Sequence, residues 1–264
     1  LDVVYIASPN SLHFNHAKVA ILARKHVIVE KPAVSRPEEW QELVKLAAEH
    51  QVYIFEAARN YHEAAFAVIR DFLKDKKIWG ANFTYAKYSS KMGALLSGQE
   101  PNVFSAKFSG GALMDLGVYT LYAAVRLFGA PQNTCYTAQQ LPNSVDLNGS
   151  GSLIYPDFQV RIQAGKNIHS QLPAEIYTDQ GTLTLDGIEF IRSAIFQKLN
   201  GETESLAIRQ ADHQMLEEAQ AFARVLKGGQ EELYSDYLQA AATVHECMFA
   251  MRKDAGIRFE VDHD

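Results

Sequence analysis

The chain has 264 residues, enough for one large domain or two smaller ones that each bury a core. Apolar residues make up 47% and charged residues 21%, which is the balance of a globular protein and not of a disordered one. A net charge of −6 argues against a nucleic-acid-binding or anionic-membrane surface. No run of 18 apolar residues is present, so we expect no membrane span. Cys135 and Cys247 are the only cysteines, which predicts free thiols in a reducing compartment, the cytoplasm.

The first 58 residues alternate between predicted strands and helices. Three runs rich in β-branched and aromatic residues have the pattern of buried strands: Asp2–Ala7, His26–Glu30 and Val52–Ala57. One helix is predicted from about Asn10 to Arg24, and Pro37 begins another. This alternation indicates βαβ units and a parallel sheet. Because three strands are too few for a doubly wound domain and no G-x-G-x-x-G follows them, residues 1–58 are interpreted as the second half of a Rossmann domain.

From residue 59 the pattern changes to helices and a long series of short strands. The predicted helices are about Glu63–Leu73, Ser109–Phe128, Asp212–Lys227 and Asp236–Asp254. The predicted strands are Asn82–Tyr88, a meander between Thr134 and Phe196, and a last short strand at Ile257–Val261. We therefore predict an α/β part, residues 1–58, followed by an α+β part, residues 59–264, with a large open antiparallel sheet.

Polar residues stand where each predicted parallel strand ends. They are Ser8-Pro9-Asn10, Glu30-Lys31-Pro32 and Glu56 with Arg59. Because ligands of parallel sheets bind beyond the carboxyl ends of the strands, we expect these residues to lie along one crevice. Lys31 would be partly desolvated there, which can lower its pKa and suits it to proton transfer or to polarising a hydroxyl. Pro32 fixes the backbone direction, through a cis bond if that isomer forms. A lone strand-end lysine is more often an ordinary surface residue.

Two stretches of the sequence resemble the Gfo/Idh/MocA oxidoreductases, typified by glucose-fructose oxidoreductase and inositol dehydrogenase. The stretch SPNSLHFNHAKVAILARKHVIVEKP, residues 8–32, carries the family's S-P-N, a histidine three residues later (His13), K-H-V and E-K-P. The second stretch, GGALMDLGVY at residues 110–119, resembles G-G-A/G-x-L-x-D-x-G-x-H/Y and contains Asp115 and Tyr119. The resemblance covers essentially the whole chain, and the family's N-terminal glycine loop is the part we expect to be missing.

The second stretch also makes physical sense by itself. Asp115 and Tyr119 are four residues apart on a predicted helix, so their side chains point the same way. Gly110 and Gly111 would let the start of that helix approach another backbone closely. The alternative is an ordinary helix start with an acidic first turn and a core tyrosine.

The resemblance implies hydride transfer between nicotinamide and a hydroxyl-bearing carbon of a sugar, polyol or cyclic diol. It implies NAD or NADP as cofactor, bound near Ser8, Pro9, Asn10, His13, Glu30 and Lys31. It further implies that Lys31 contacts the reacting hydroxyl and the nicotinamide ribose, that Asp115 binds a substrate hydroxyl or orients Lys31, and that Tyr119 is the acid/base. A phenol ionises well above neutral pH, so this role needs a neighbouring cation such as Lys31.

Several positions depart from the family pattern or leave alternatives open. Arg24 replaces the usual helix-ending glycine, and a left-handed backbone there would cost about 1 kcal/mol. Arg59 either faces the cleft, where it would favour a polar or anionic substrate, or anchors the junction between the two parts. His13 and His16 have a spacing that can suit metal ligands, but without a third ligand we predict no metal site.

These observations leave three hypotheses for the function of the chain. The first is the oxidoreductase, and the joint presence of Lys31, Asp115 and Tyr119 favours it. The second is a non-catalytic ligand- or NAD(P)-sensing regulatory protein on the same fold. The third is an inactive fragment that lacks half of the cofactor site. The resemblance implies a homodimer or homotetramer through the antiparallel sheet.

Overall fold

The computed structural model describes residues 1–263 and contains two β-sheets. The smaller sheet has three parallel strands in the order β1-β2-β3: Val3–Ile6, His26–Glu30 and Ile54–Ala57. Helices α1 (His13–Leu22) and α2 (Pro37–Glu49) connect them. The predicted strands and their parallel pairing are confirmed, and the carboxyl ends of all three strands lie at one edge.

The larger sheet has eight strands, built from later parts of the chain. They are β4 (Ile78–Ala86), β5 (Asn133–Gln140), β6 (Asp146–Ile154), β7 (Gln159–Gly165), β8 (Ala174–Thr178), β9 (Gly181–Leu185), β10 (Ala194–Lys198) and β11 (Thr203–Ser205). Their order is β11-β10-β9-β8-β4-β7-β6-β5. Neighbours are antiparallel except for β4 and β7, which run parallel. The predicted antiparallel sheet is therefore mixed at its centre, because β4 is inserted between two strands that follow much later.

Helices cover one face of the larger sheet. They are α3 (Ala65–Leu73), α5 (Val118–Phe128) and α7 (Glu231–Ala255). Two further helices, α4 (Met92–Leu96) and α6 (Leu216–Leu226), contribute no residue to the core under this sheet. Alternate residues of the central strands, such as Phe83 and Ile162, are buried in the core that contains residues of α3, α5 and α7. No helix within residues 1–263 is both long and apolar enough to cross a membrane.

Helix α7 joins the two parts of the molecule. Its residue Ala241 packs in the core of the smaller sheet, while Val244 and Met248 pack in the core of the larger one. On the opposite face of the smaller sheet, Phe55 stacks on Phe222 of α6 with 4.5 Å between ring centroids. A domain boundary after residue 58 stays a prediction, because the last helices pack against both sheets.

Two predicted elements differ in the structure. The helix expected from Ser109 to Phe128 begins as a π-helical turn, Leu113–Gly117, and continues as α5. The strand expected at Ile257–Val261 is wrong. Ile257 and Phe259 are buried in the core, and Asp262 accepts the Phe259 N–H at 2.8 Å and a bond from Arg252 at 2.8 Å. These bonds turn the chain into a short 3₁₀ helix, Glu260–His263, instead of extending it.

Candidate active site

Lys31 lies directly after β2, at the carboxyl edge of the smaller sheet. The buried side chain of His13 holds the loop that carries Lys31. The two ring nitrogens of His13 face the backbone oxygens of Pro32, at 2.9 Å, and Ser8, at 2.7 Å. His13 therefore ties the ends of β1 and β2 together. The Lys31–Pro32 peptide bond is cis.

Asp115 approaches Lys31 from the second part of the chain, on the π-helical turn. The start of this turn is packed closely, as predicted: a Cβ added to Gly110 would lie 2.6 Å from the Val103 backbone. The buried Asp146 carboxylate accepts the Leu113 N–H at 2.8 Å and so fixes the first residue of the turn. Turns of this kind occur frequently at functional sites.

The Asp115 carboxylate lies between two lysines. Lys31 donates to the carboxylate at 2.9 Å and to the Asp115 backbone oxygen at 2.7 Å. Lys166, directly after β7, donates to the other carboxylate oxygen. The side chains of Lys31 and Lys166 are 13% and 7% exposed, whereas that of Asp115 is 33% exposed. The three charges form a cluster that solvent reaches mainly at the carboxylate.

The pKa values in this cluster follow from its charges. Burial raises the pKa of Asp115, but the ammonium groups of Lys31 and Lys166 outweigh burial, and the pKa falls to about 2. Burial lowers the pKa of Lys31, but Asp115 and then Tyr119 outweigh it, and the net pKa is raised. The expectation that Lys31 has a lowered pKa is therefore wrong. Lys31 stays an ammonium group at neutral pH.

Tyr119, on the first turn of α5, completes the group. The Lys31 Nζ lies 4.9 Å from the centroid of its ring, and the Arg59 guanidinium carbon lies 5.2 Å from it. Tyr85 of β4 contacts the ring edge-on, with 5.3 Å between centroids. The buried Asn60 amide donates to the Tyr119 backbone oxygen at 2.9 Å, which holds this turn of α5 in place.

Arg59 makes contacts on two sides, and the two roles that the sequence left open for it stay predictions. Its guanidinium donates to the Glu189 backbone oxygen at 2.6 Å, so it anchors the loop between β9 and β10. At the same time it lies beside the Tyr119 ring, facing the site. The structure thus brings Lys31, Asp115, Tyr119 and Arg59 together, and the functional roles given to them stay predictions.

The other predicted cofactor-binding residues lie along the same edge of the smaller sheet. Ser8 Oγ is 3.0 Å from the His16 Nδ1, and the Asn10 amide donates to the Ser109 backbone oxygen at 2.9 Å. Pro9 precedes the short 3₁₀ helix Asn10–Leu12, and Glu30 accepts the Tyr5 hydroxyl. Within residues 1–263, no group of three or more His, Cys, Asp or Glu side chains is placed to hold a metal ion.

Lys166 is the site residue that the sequence analysis missed. A charged residue directly after a strand was the signal that pointed to Lys31, and Lys166 carries the same signal after β7. Ligand sites are expected at the carboxyl ends of parallel strands, and the sequence indicates such strands only in residues 1–58. The parallel pairing of β4 with β7 could not be read from the sequence.

A second pair of ionisable side chains lies deeper in the molecule. The Glu56 carboxylate at the end of β3 accepts the Ala33 N–H at 3.2 Å and lies 2.7 Å from the His245 Nε2 on α7. Both side chains are 2% exposed. This pair holds the loop after Lys31 to the last long helix.

Comparison with known proteins gives matches along almost the whole chain. Residues 1–58 match the model described as an oxidoreductase family with an NAD-binding Rossmann fold, and residues 77–184 match the GFO/IDH/MocA C-terminal domain. The chain is 34% identical to the uncharacterized oxidoreductase YgjR of Escherichia coli (strain K12) and 33% identical to the scyllo-inositol 2-dehydrogenase (NADP(+)) IolU of Bacillus subtilis (strain 168). Each alignment covers 99% of this chain and 80% of the relative.

A solved structure with the same fold is the 3-ketoreductase KijD10 from Actinomadura kijaniata in complex with NADP and TDP-benzene. It aligns with a TM-score of 0.83 over 96% of this chain and 78% of that chain, at 22% identity. At this identity the likeness supports the fold alone.

Proposed function

Because the chain belongs to the Gfo/Idh/MocA family of NAD(P)-dependent oxidoreductases, we propose that it oxidises a hydroxyl-bearing carbon of a sugar, polyol or cyclic diol. An inositol is the first substrate to test, since the relative IolU is named for scyllo-inositol. The observation that carries the proposal is the meeting of Lys31 and Asp115, at 2.9 Å, beside the Tyr119 ring. Two separate parts of the chain supply these three groups.

The residues at the carboxyl edge fit the nicotinamide end of the cofactor. A lysine ammonium has three N–H donors, and Asp115 accepts two bonds from Lys31. A third donor can then bind a ribose or substrate hydroxyl. Ser8, Pro9, Asn10, His13 and Glu30 would hold the cofactor beside Lys31. When bound, the nicotinamide accepts or supplies the hydride.

The chain's own residues would manage the proton and the charge at the reacting oxygen. Lys31 stays protonated, so its ammonium group polarises that oxygen and stabilises negative charge on it instead of acting as the base. Tyr119, flanked by Lys31 and Arg59, takes up or releases the proton. Asp115 orients Lys31 through its two hydrogen bonds and remains available to a substrate hydroxyl.

The test is an assay of the protein with NAD and with NADP against inositols, aldoses and cyclic diols. Formation of reduced nicotinamide with at least one of them supports the proposal. Tight binding of NAD(P), measured by calorimetry, without turnover on any of them would instead favour the sensing protein and overturn the dehydrogenase.

We also propose a homodimer or homotetramer through the outer face of the larger sheet. This face carries a groove of about 370 Å³ lined by Asn82, Arg161 and Glu175, with the exposed Leu172 at its side. Sedimentation of the protein and of Leu172→Glu tests it, and a monomer in both overturns it. A cytoplasmic location is supported by Cys135 and Cys247, which are both free thiols.

A further inference from the structure

Lys166, directly after β7, brings a second ammonium group to Asp115. It lies outside both stretches that resemble the family, residues 8–32 and 110–119. Its backbone is fixed on both sides: its N–H donates to the Leu147 oxygen at 2.7 Å, and its own oxygen accepts the Ser89 N–H at 2.8 Å. The side chain is 7% exposed and contacts the Asp115 carboxylate. The ammonium group is therefore carried by a backbone that is bonded to β6 on one side and to the segment after β4 on the other.

The charges around Asp115 do not balance. Lys31, Lys166 and the neighbouring Arg59 supply three positive charges. Asp115 and Glu30, which acts electrostatically on Lys31, supply two negative charges, so the group has an excess of one positive charge. Burying an unbalanced charge is unfavourable unless something negative comes to meet it. In an oxidoreductase that removes a proton from a hydroxyl, the developing negative charge on the reacting oxygen is that partner.

We propose that Lys166 is a positioning residue that neutralises and orients the Asp115 carboxylate, so that the positive charge of Lys31 stays directed at the reacting oxygen. This inference rests on the proposed dehydrogenase function. Each carboxylate oxygen has its own lysine, Lys31 on Oδ1 and Lys166 on Oδ2. Without Lys166, the Asp115 charge would act on Lys31 alone, and the excess positive charge would be gone.

The test compares Lys166→Met, which keeps the aliphatic stem, with Lys166→Arg, which keeps the charge. We expect Lys166→Met to lower kcat/KM about 10- to 100-fold, the size of loss seen when a residue that orients a metal ligand is removed. The pH at which kcat/KM for alcohol oxidation reaches half of its plateau should rise by roughly one unit, because a positive charge has left a partly buried site. Lys166→Arg should recover most of both effects.

A second readout needs no turnover. In Lys166→Met the Lys31 amine should be acylated several-fold more slowly at fixed pH than in the unchanged protein, because Asp115 then holds its proton more firmly. Peptide mapping by mass spectrometry measures this at residue 31, with the exposed Lys198 as internal control. A purely structural Lys166 would lower thermal stability and leave both the pH profile and the Lys31 acylation rate unchanged, which would overturn the inference.

The outcomes separate this inference from the proposed function. If the unchanged protein turns over and Lys166→Met behaves like it, the inference is wrong and the dehydrogenase stands. If no substrate is turned over, the dehydrogenase fails, and the acylation rate of Lys31 still decides whether Lys166 controls the charge at Lys31.

Discussion

Two clusters of ionisable side chains join the smaller sheet to the rest of the chain, one at Lys31 and one at Glu56. In the deeper pair, Glu56 meets His245 and also accepts the Ala33 N–H, and the Glu56 and His245 side chains are each 2% exposed. In the outer cluster, Asp115 is 33% exposed and lies between two lysines. Side chains that solvent cannot reach can only hold two segments of the chain together. A solvent-accessible cluster with excess charge can also act on a ligand. Exposure and charge balance therefore separate the candidate active site from the scaffold.

The largest effect is expected from Lys31→Met, which removes the ammonium group at the centre of the outer cluster. Turnover should fall about 10³-fold or more, because both the polarising charge and the donor to the reacting oxygen are lost. The melting temperature should change little, since the lysine stem is retained. Lys18→Met is the matched control, because Lys18 pairs with Glu42 at 2.7 Å on the surface. Equal turnover in both variants would contradict the role of Lys31.

Tyr119→Phe sharpens the comparison within the outer cluster. The ring, and its packing against Lys31 and Arg59, would remain while the hydroxyl is lost. We expect kcat to fall about 10²- to 10⁴-fold, the range for loss of a general acid or base. Tyr85→Phe is the control, because Tyr85 contacts the same ring edge-on and should lose far less activity. If the two variants lose the same activity, the hydroxyl of Tyr119 has no special part.

The deeper pair should show the opposite behaviour. His245→Ala removes the buried hydrogen-bond partner of one Glu56 carboxyl oxygen, so the free energy of unfolding should fall by about 1–3 kcal/mol. Urea denaturation measures this change, and Lys45→Ala, in an exposed pair with Glu49, should change it by less than about 0.5 kcal/mol. A pH profile of kcat that moves with His245→Ala would break the distinction between scaffold and site.

Glu63 gives the scaffold a pH dependence of known sign. Burial raises its pKa to about 8 from an ordinary value of 4.5, against the opposing effects of the Ile191 N–H and Arg59. The folded state therefore keeps a proton that the unfolded chain releases, and this contribution to stability is lost as pH rises from about 4.5 to about 8. Glu63→Gln should make the unfolding free energy depend less steeply on pH in that window. Urea midpoints that fall with pH as steeply in the variant would contradict it.

The outer cluster can be predicted from the sequence only in part. The strand ends predict where Lys31 lies, and the four-residue spacing predicts that Asp115 and Tyr119 share one helix face, because these are local patterns on regular elements. The meeting of Lys31 with Asp115 and Tyr119 was implied only by the family resemblance. Lys166 could not be predicted in this way. It lies 51 residues from Asp115 in the sequence, and their contact depends on how β7 pairs with β4. The predicted direction of the Lys31 pKa shift is wrong for the same reason. The sequence indicates burial, which lowers the pKa, but not the tertiary contacts with Asp115 and Tyr119, which raise it.

The smallest effect concerns the ends of the two helices that cover the smaller sheet. Arg24 after α1 and Gln51 after α2 both have a left-handed backbone, with φ of 57° in each. At both ends the chain closes with the paired bonds of a Schellman motif, such as Lys25 N–H to the Ala20 oxygen at 3.0 Å. Arg24 therefore adopts the left-handed backbone that glycine has in the family pattern, and its Cβ makes that conformation sterically unfavourable.

Arg24→Gly should raise the free energy of unfolding by about 0.5–1 kcal/mol, because glycine adopts this conformation without steric strain. Gln51→Gly should do the same, whereas Lys25→Gly, at a neighbour without positive φ, should destabilise the protein. Urea denaturation of the three variants measures the difference. Turnover should be unaffected in Arg24→Gly, because Arg24 is exposed and outside both clusters of ionisable side chains. A destabilised Arg24→Gly would mean that the arginine side chain makes a stabilising contact that outweighs the backbone strain.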